Sequence, residues 1–225
     1  MINAVHYHNN NAHHQDAFGY DLSTRCFAVA DGVSALPDSG YASAAAVLAF
    51  LDYVECYDAN LYDFNAADAL NYVAKEVVSL SNDNLRAATT FTGVVVDKDG
   101  TVRIAHIGDS KAVVIDDGQQ VFETTNHEIE DNNGIIRLSG YITSRAGIEL
   151  FGHQIENIVI PSNKVNSRHI ALMTDGVTTS YKYKYELSRL FDGTYDLSNI
   201  DKAVMKFVGK VGIYDDKTMI LAAID

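Results

Sequence analysis

The sequence predicts an α+β fold in which antiparallel sheets are covered by helices, and three observations carry that reading. Helical periods come in two blocks, roughly 41–82 and 178–211. Strand patterns fill the blocks between and after them, and tight-turn residues separate neighbouring strands. Elements grouped by type pack as antiparallel sheets with helices outside, whereas alternating βαβ units would give a parallel sheet. At 225 residues and 47% hydrophobic, the chain is long enough to bury a sizeable core and too apolar for a disordered segment. No Pro/Ser-rich linker, internal repeat or low-complexity tract interrupts it, so residues 1–225 read as one domain.

The elements follow in order. Cys26-Phe27-Ala28-Val29-Ala30 is a buried strand ending at Asp31-Gly32, and residues 33–40 form a loop. Tyr41 to about Tyr57 is an Ala-rich helix with a broad apolar face. In 65–82, Ala67, Leu70, Val73, Val77 and Leu80 recur at helical spacing. Phe91–Val96 is β-branched, and Asp97-Lys98-Asp99-Gly100 turns it into Val102–Ile107. Gly108-Asp109-Ser110 breaks the run, Ala112–Ile115 resumes it, and Asp116-Asp117-Gly118 turns it back through Gln119–Thr124. This pattern predicts one antiparallel meander. Residues 126–153 are polar and read as a long loop with short elements. Ile155–Ile160 and His169–Thr174 are strands, Thr178–Phe191 is a helix, and Ser198 caps another whose face is Ile200, Val204, Phe207, Val208 and Val211. Thr218–Ile224 closes the order as a strand.

Charge narrows the function. With 17 basic against 30 acidic residues the net charge is −13, which opposes binding to nucleic-acid backbones or anionic membrane surfaces. The two cysteines, Cys26 and Cys56, form no CxxC pair. With no signal-peptide pattern and no membrane-spanning apolar run, the expectation is a cytoplasmic protein. The Asp97–Gly100 stretch has Gly108, not Glu, at the twelfth position of a calcium loop, so it is a hairpin turn. His6, His8, His13 and His14 have no nearby third ligand of zinc type and read as solvated or substrate-facing imidazoles. Tyr181-Lys182-Tyr183-Lys184-Tyr185 reads as an amphipathic helix surface, given the acidic chain.

Four aspartates stand where a strand meets a turn: Asp31, Asp109, Asp175 and Asp215. One such residue is ordinary turn chemistry. Four together form a hard oxygen cage suited to Mg²⁺ or Mn²⁺, and a glycine beside a carboxylate lets a backbone carbonyl approach the ion.

Five segments extend this pattern: Gln15-Asp16-Ala17-Phe18, Val29-Ala30-Asp31-Gly32-Val33, Ile107-Gly108-Asp109-Ser110-Lys111, Met173-Thr174-Asp175-Gly176-Val177 and Asp215-Asp216-Lys217-Thr218-Met219-Ile220. In this order, with Thr89-Thr90-Phe91-Thr92-Gly93 before the third, they resemble the metal-dependent Ser/Thr protein phosphatases of the 2C type, in a compact bacterial-like form. The resemblance implies a four-layer α/β/β/α sandwich of two antiparallel sheets flanked by helices, with two Mn²⁺ or Mg²⁺ ions at one end. It implies that Asp31 bridges the two ions, that the Gly32 carbonyl binds one, and that Asp175 and Asp215 hold the other. Asp16 would orient the attacking water, and Asp109 would help bind a weaker third divalent ion. The implied reaction is in-line hydrolysis of phosphoserine or phosphothreonine on a protein partner by a monomeric enzyme, using water activated between the two cations.

Three positions depart from the family pattern. Asn11 stands where many members carry a phosphate-gripping arginine, leaving His13, His14 or Arg145 to supply that grip. Val33-Ser34-Ala35-Leu36-Pro37 replaces the usual glycine pair, and Thr179 stands where an aspartate often supports the third ion. These departures motivate an alternative, a weak or inactive phosphatase-fold protein that binds a phosphoprotein or regulatory partner. A metal hydrolase of small phosphoesters is a third reading.

Overall fold

The computed structural model describes residues 2–10, 12–57, 64–80, 85–162, 165–191, 199–211 and 215–224. Asn11 and Ser198 lie outside them. One sheet has the order β1 (Ile2–Asn9), β15 (Lys217–Ile224), β14 (Arg168–Met173), β7 (Lys111–Asp116), β8 (Gln119–Glu123). The other runs β13 (Ile158–Ile160), β6 (Val102–Ile107), β5 (Phe91–Val96), β3 (Cys26–Ala30), β2 (Ala17–Asp21). Every pairing within both sheets is antiparallel.

Helices α1 (Ser39–Tyr57) and α2 (Ala66–Ser79) cover the second sheet, while α4 (Tyr183–Phe191) and α5 (Ile200–Val211) cover the first. Side chains alternate across each strand, and here both faces are buried. Phe27 and Val29 enter the layer between the sheets with Val94, Ile104, Ile170 and Ile220. Cys26, Ala28 and Ala30 of the same strand face the α1/α2 layer with Phe50, Leu70 and Phe91. The continuous apolar runs of the sequence follow from this two-sided burial. The α1 helix is Ala-rich because it lies close on a small-residue face: a Cβ on Gly93 would stand 2.7 Å from the Phe50 ring. Asn65 caps α2 by accepting from the amides of Ala67 (2.8 Å) and Asp68 (3.2 Å).

Four sequence expectations change. The expected meander is two hairpins in different sheets: β5 pairs with β6 in one, β7 with β8 in the other. Gly108, at φ +110°, makes the crossing; a side chain there would be strained and would stand 2.5 Å from the Thr90 Cβ. The 126–153 segment is more ordered than a loop. It holds a hairpin of β9 (Glu128–Glu130) with β10 (Ile136–Leu138), and a three-stranded sheet of β4 (Ala88–Thr89), β11 (Gly140–Thr143) and β12 (Gly147–Leu150). The expected helix at 178–191 splits into a short α3 (Asp175–Thr178) and α4, so Tyr181 and Lys182 lie in a turn while Tyr183 is buried. The strand expected at 155–160 shortens to Ile158–Ile160.

Candidate active site

The sheet ends bring the predicted aspartates together. Asp31 follows β3, Asp109 joins β6 to β7, Asp175 opens α3 after β14, and Asp215 precedes β15. These four line one pocket of about 180 Å³ with Asp216, His13, Gln15, Gly32, Ser34, Thr90 and Leu138. Among the described residues, its wall therefore holds five aspartates and one basic side chain, His13.

Backbone bonds fix each carboxylate. The Asp31 amide donates to Thr90 Oγ1 (3.1 Å), and its carbonyl accepts from the Thr90 amide (2.8 Å) and Thr89 Oγ1 (2.9 Å). Thr90 Oγ1 also bonds Ser110 Oγ at 2.8 Å, joining the turns that carry Asp31 and Asp109. The Gly32 amide donates to the Gln15 carbonyl at 3.1 Å. Gly176 must lack a side chain, because a Cβ there would overlap the Asp216 carbonyl. Asp16 is buried beside the cluster and its Oδ2 accepts from Thr218 (2.7 Å) and Thr174 (2.8 Å). Its Oδ1 is buried with no partner among the described residues.

The crowding is electrostatically costly. Two unit charges 4 Å apart repel by about 4 kcal/mol at an effective dielectric of 20. Burial, then the charges of Asp16 and Asp175, raise the Asp31 carboxyl well above the ordinary range. Burial above all lifts Asp16 to about 7, although Thr218 and Thr174 oppose it. Burial and Asp175 lift Asp109 to about 7, and the same two causes raise Asp215. Asp216 goes the other way. Burial opposes it, but the amides of Gln15, His13 and Ala12 hold its carboxyl low. Those bonds are 2.9, 3.1 and 2.9 Å long and strap the 12–15 segment to the β15 entry.

A divalent cation answers this arrangement: hard oxygens, raised proton affinities and an orphaned carboxylate oxygen all fit it. No three His, Cys, Asp or Glu side chains among the described residues already close on a single point.

The predicted site residues divide. Asp31, Gly32, Asp109, Asp175, Asp215 and His13 line the pocket, and Asp16 backs it. His14 is exposed at φ 59° and Arg145 sits at the exposed tip of the β11–β12 hairpin; neither is in the pocket wall. Thr179 is exposed at the end of α3. His6 and His8 are not simply solvated, since both rings pack on Phe18. Sequence reasoning missed the roles of Thr90, Thr174, Thr218 and Asp216. Thr174 and Asp216 adjoin Asp175 and Asp215 in the sequence, a signal that could have marked them, whereas Thr90 and Thr218 reach Asp31 and Asp16 only through the fold.

The fold and the pocket define a class, a four-layer sandwich that gathers hard oxygen donors at one sheet end. The family model described as Protein phosphatase 2C matches residues 4–207, and the chain belongs to that family of protein phosphatases. Solved structures agree in fold. The photosystem II phosphatase PBCP superposes with a TM-score of 0.74 at 18% identity, covering 100% of this chain and 99% of that one. The serine/threonine phosphatase Stp1 from Staphylococcus aureus gives 0.74 at 18% identity, over 100% and 96%. A bacterial serine phosphatase gives 0.73 at 17% identity, over 100% and 98%. No curated protein matches the sequence significantly.

Proposed function

We propose that the protein hydrolyses phosphoserine and phosphothreonine on protein substrates with two Mn²⁺ or Mg²⁺ ions held by Asp31, the Gly32 carbonyl, Asp175 and Asp215. The carrying observation is the pocket wall, with five aspartates and a single basic side chain. Bound divalent ions supply charge neutralisation for the phosphoryl oxygens and a lowered water pKa. The chain's own residues do the rest. Thr174 and Thr218 lock Asp16 Oδ2, so Oδ1 is left to accept a hydrogen from the attacking water. His13 replaces the arginine grip, because it alone of the three candidates faces the pocket. Asp109 serves an outer, weaker ion.

The enzyme is proposed to act as a monomeric single-domain unit in signalling. The β1–β15 pairing of the two ends of the described chain supports one domain. Two free thiols, Cys26 and Cys56, suit the reducing cytoplasm, and no described helix is long and apolar enough to cross a membrane.

Purified protein should release phosphate from a phosphothreonine peptide with Mn²⁺ and stop on chelation. Silence across several divalent ions would reject the reading. A pocket wall without arginine favours one rival, a phosphoprotein-binding member without turnover. That rival predicts partner binding that survives Asp31→Ala.

A further inference from the structure

The turn Gly108-Asp109-Ser110 carries Asp109 from one sheet to the other. Among the described residues, the Asp109 carboxylate has no hydrogen-bond donor beyond its own backbone amide; Asp175 and Glu128 repel it, and Lys111 attracts it only from a distance, its Nζ being bonded to Asn126 Oδ1 and the Thr124 carbonyl. Its position is therefore set by the backbone of the turn. That backbone is gripped at Gly108, which is buried. On one side stands Thr90, 2.5 Å from where a Gly108 Cβ would be. On the other stands His127, which bonds Gly108 twice. The Gly108 amide donates to His127 Nδ1 at 3.1 Å, and the His127 amide donates to the Gly108 carbonyl at 2.8 Å.

We propose that His127 is a positioning residue that clamps the Gly108 backbone and thereby sets the cation affinity of Asp109. The inference rests on the reading that divalent ions bind among these aspartates. Three features make the clamp rigid. The His127 ring lies between His106 and His153, with centroids 4.9 and 5.0 Å away. His106 is itself pinned, bonding Thr92 Oγ1 at 2.9 Å and the Thr125 carbonyl at 3.0 Å. His153 donates from Nε2 to the Glu128 carbonyl at 3.2 Å. Accepting an amide at Nδ1 leaves the ring hydrogen on Nε2. Burial, helped by His153, lowers the His127 pKa to about 4, so the Nδ1 lone pair is available at ordinary pH. The same residue closes the base of the β9–β10 hairpin, because the Ser139 amide donates to the His127 carbonyl at 2.8 Å. His127 is not in the pocket wall, so it acts on the cation only through the turn.

Two polar variants separate clamping from filling space. In His127→Asn the amide oxygen takes the place of Nδ1, and in His127→Gln the oxygen takes the place of Nε2. Three readouts are needed: calorimetric Mn²⁺ binding, the Mn²⁺ concentration for half-maximal turnover of a phosphothreonine peptide, and hydrogen exchange at the Gly108 amide. His127→Gln should weaken Mn²⁺ binding about tenfold, the scale of an outer partner of a metal ligand, with turnover at saturating Mn²⁺ nearly kept. It should also expose the Gly108 amide to exchange. His127→Asn should stay within about threefold of wild type in all three. Equal behaviour of the two variants, or a fast-exchanging Gly108 amide in the wild type, overturns the clamp. A Gln variant that only melts earlier, with Mn²⁺ affinity unchanged, overturns it too. Wild type that binds Mn²⁺ without turnover instead refutes the phosphatase reading, and the binding and exchange measurements still judge the clamp.

Discussion

Strand β7 has an aspartate near each end, the half-buried Asp109 and the buried Asp116, and β14 pairs with it along its whole length; the two ends treat charge in opposite ways. At the far end Asp116 accepts from Arg168 Nε and Nη2, both at 2.7 Å. Two further Arg168 N–H groups reach the Gly100 carbonyl at 2.9 Å and the Pro161 carbonyl at 3.1 Å. Nearby, the buried Asp97 pairs with Arg103 at 2.9 Å. At the pocket end Asp31, Asp109, Asp175 and Asp215 have only His13 as a basic neighbour in the wall among the described residues. One end supplies the counter-charge from the chain and gains a fixed geometry. The other sets carboxylate against carboxylate, so burial and the neighbouring charges raise the affinity of Asp31, Asp109 and Asp215 for protons. A carboxylate at a sheet end thus differs in character according to what the fold places opposite it.

The largest expected effect is at the compensated end. Arg168→Met strands the Asp116 charge and should cost about 3–5 kcal/mol of stability in denaturant unfolding, with turnover per folded molecule retained. Adding Asp116→Leu should recover most of that loss. If the single variant unfolds at wild-type denaturant, the pair is not what holds that end together.

At the pocket end the expectation reverses. Asp31→Asn should lower turnover at least ~100-fold, in line with loss of a major electrostatic contribution. Melting in chelator should be unchanged or raised, because one repelling charge is gone. Wild-type turnover at matched Mn²⁺ would place the key carboxylate elsewhere.

Proton linkage gives a smaller but signed test. Folded Asp16 and Asp109 titrate near about 7 rather than 3.8, so the folded chain holds protons that the unfolded chain releases. That contribution is lost as pH rises through about 7. His106 and His127, lowered to about 3 and about 4, act oppositely, since the unfolded chain takes up protons below 6.5. The raised Asp31 and Asp215 tip the balance toward the carboxylates. In chelator, stability should rise by roughly 1 kcal/mol from pH 7 to pH 6. With saturating Mn²⁺ the carboxylates stay ionised, only the histidines count, and stability should fall by a similar amount. Parallel slopes in the two conditions would break the contrast between the ends.

The smallest effect is at Thr179, exposed one turn beyond Asp175, whose carbonyl accepts the Thr179 amide at 2.8 Å. Thr179→Asp should tighten an additional Mn²⁺ by roughly two- to fivefold, the scale of an exposed charge pair. A metal-soaked crystal of that variant with no ion near Asp109 would refute the inferred geometry.

What the sequence showed of this contrast depends on local signal. Asp31, Asp109, Asp175 and Asp215 were legible because each stands where a strand meets a turn, three of them beside a glycine, and turn chemistry is written in consecutive residues. The helices α1, α2 and α5 were legible from their period, and β3 and β5 from their apolar runs. β1 and β2 were missed because both are edge strands without a single fully buried residue, so neither carries the continuous apolar run of a central strand. The split of the meander hinges on one backbone angle at Gly108, which no hydrophobic pattern encodes. Thr90, Thr218 and Asp216 act on residues far along the chain. Their part exists only once the sheets are paired.

The pairing of β1 with β15 has a consequence for synthesis. Asp16 depends on a hydroxyl 202 residues further along the chain, and the three amides strapped to Asp216 reach across a similar span. On a ribosome, every aspartate up to Asp175 has emerged before the strand that completes their pocket. Until β15 arrives, the first sheet lacks the strand between β1 and β14, and the 12–15 segment lacks its three amide bonds to Asp216. Such long-range closure forms late. A nascent chain would therefore have no assembled phosphate site, and a cut anywhere before β15 would silence the protein without touching a single pocket aspartate upstream of it.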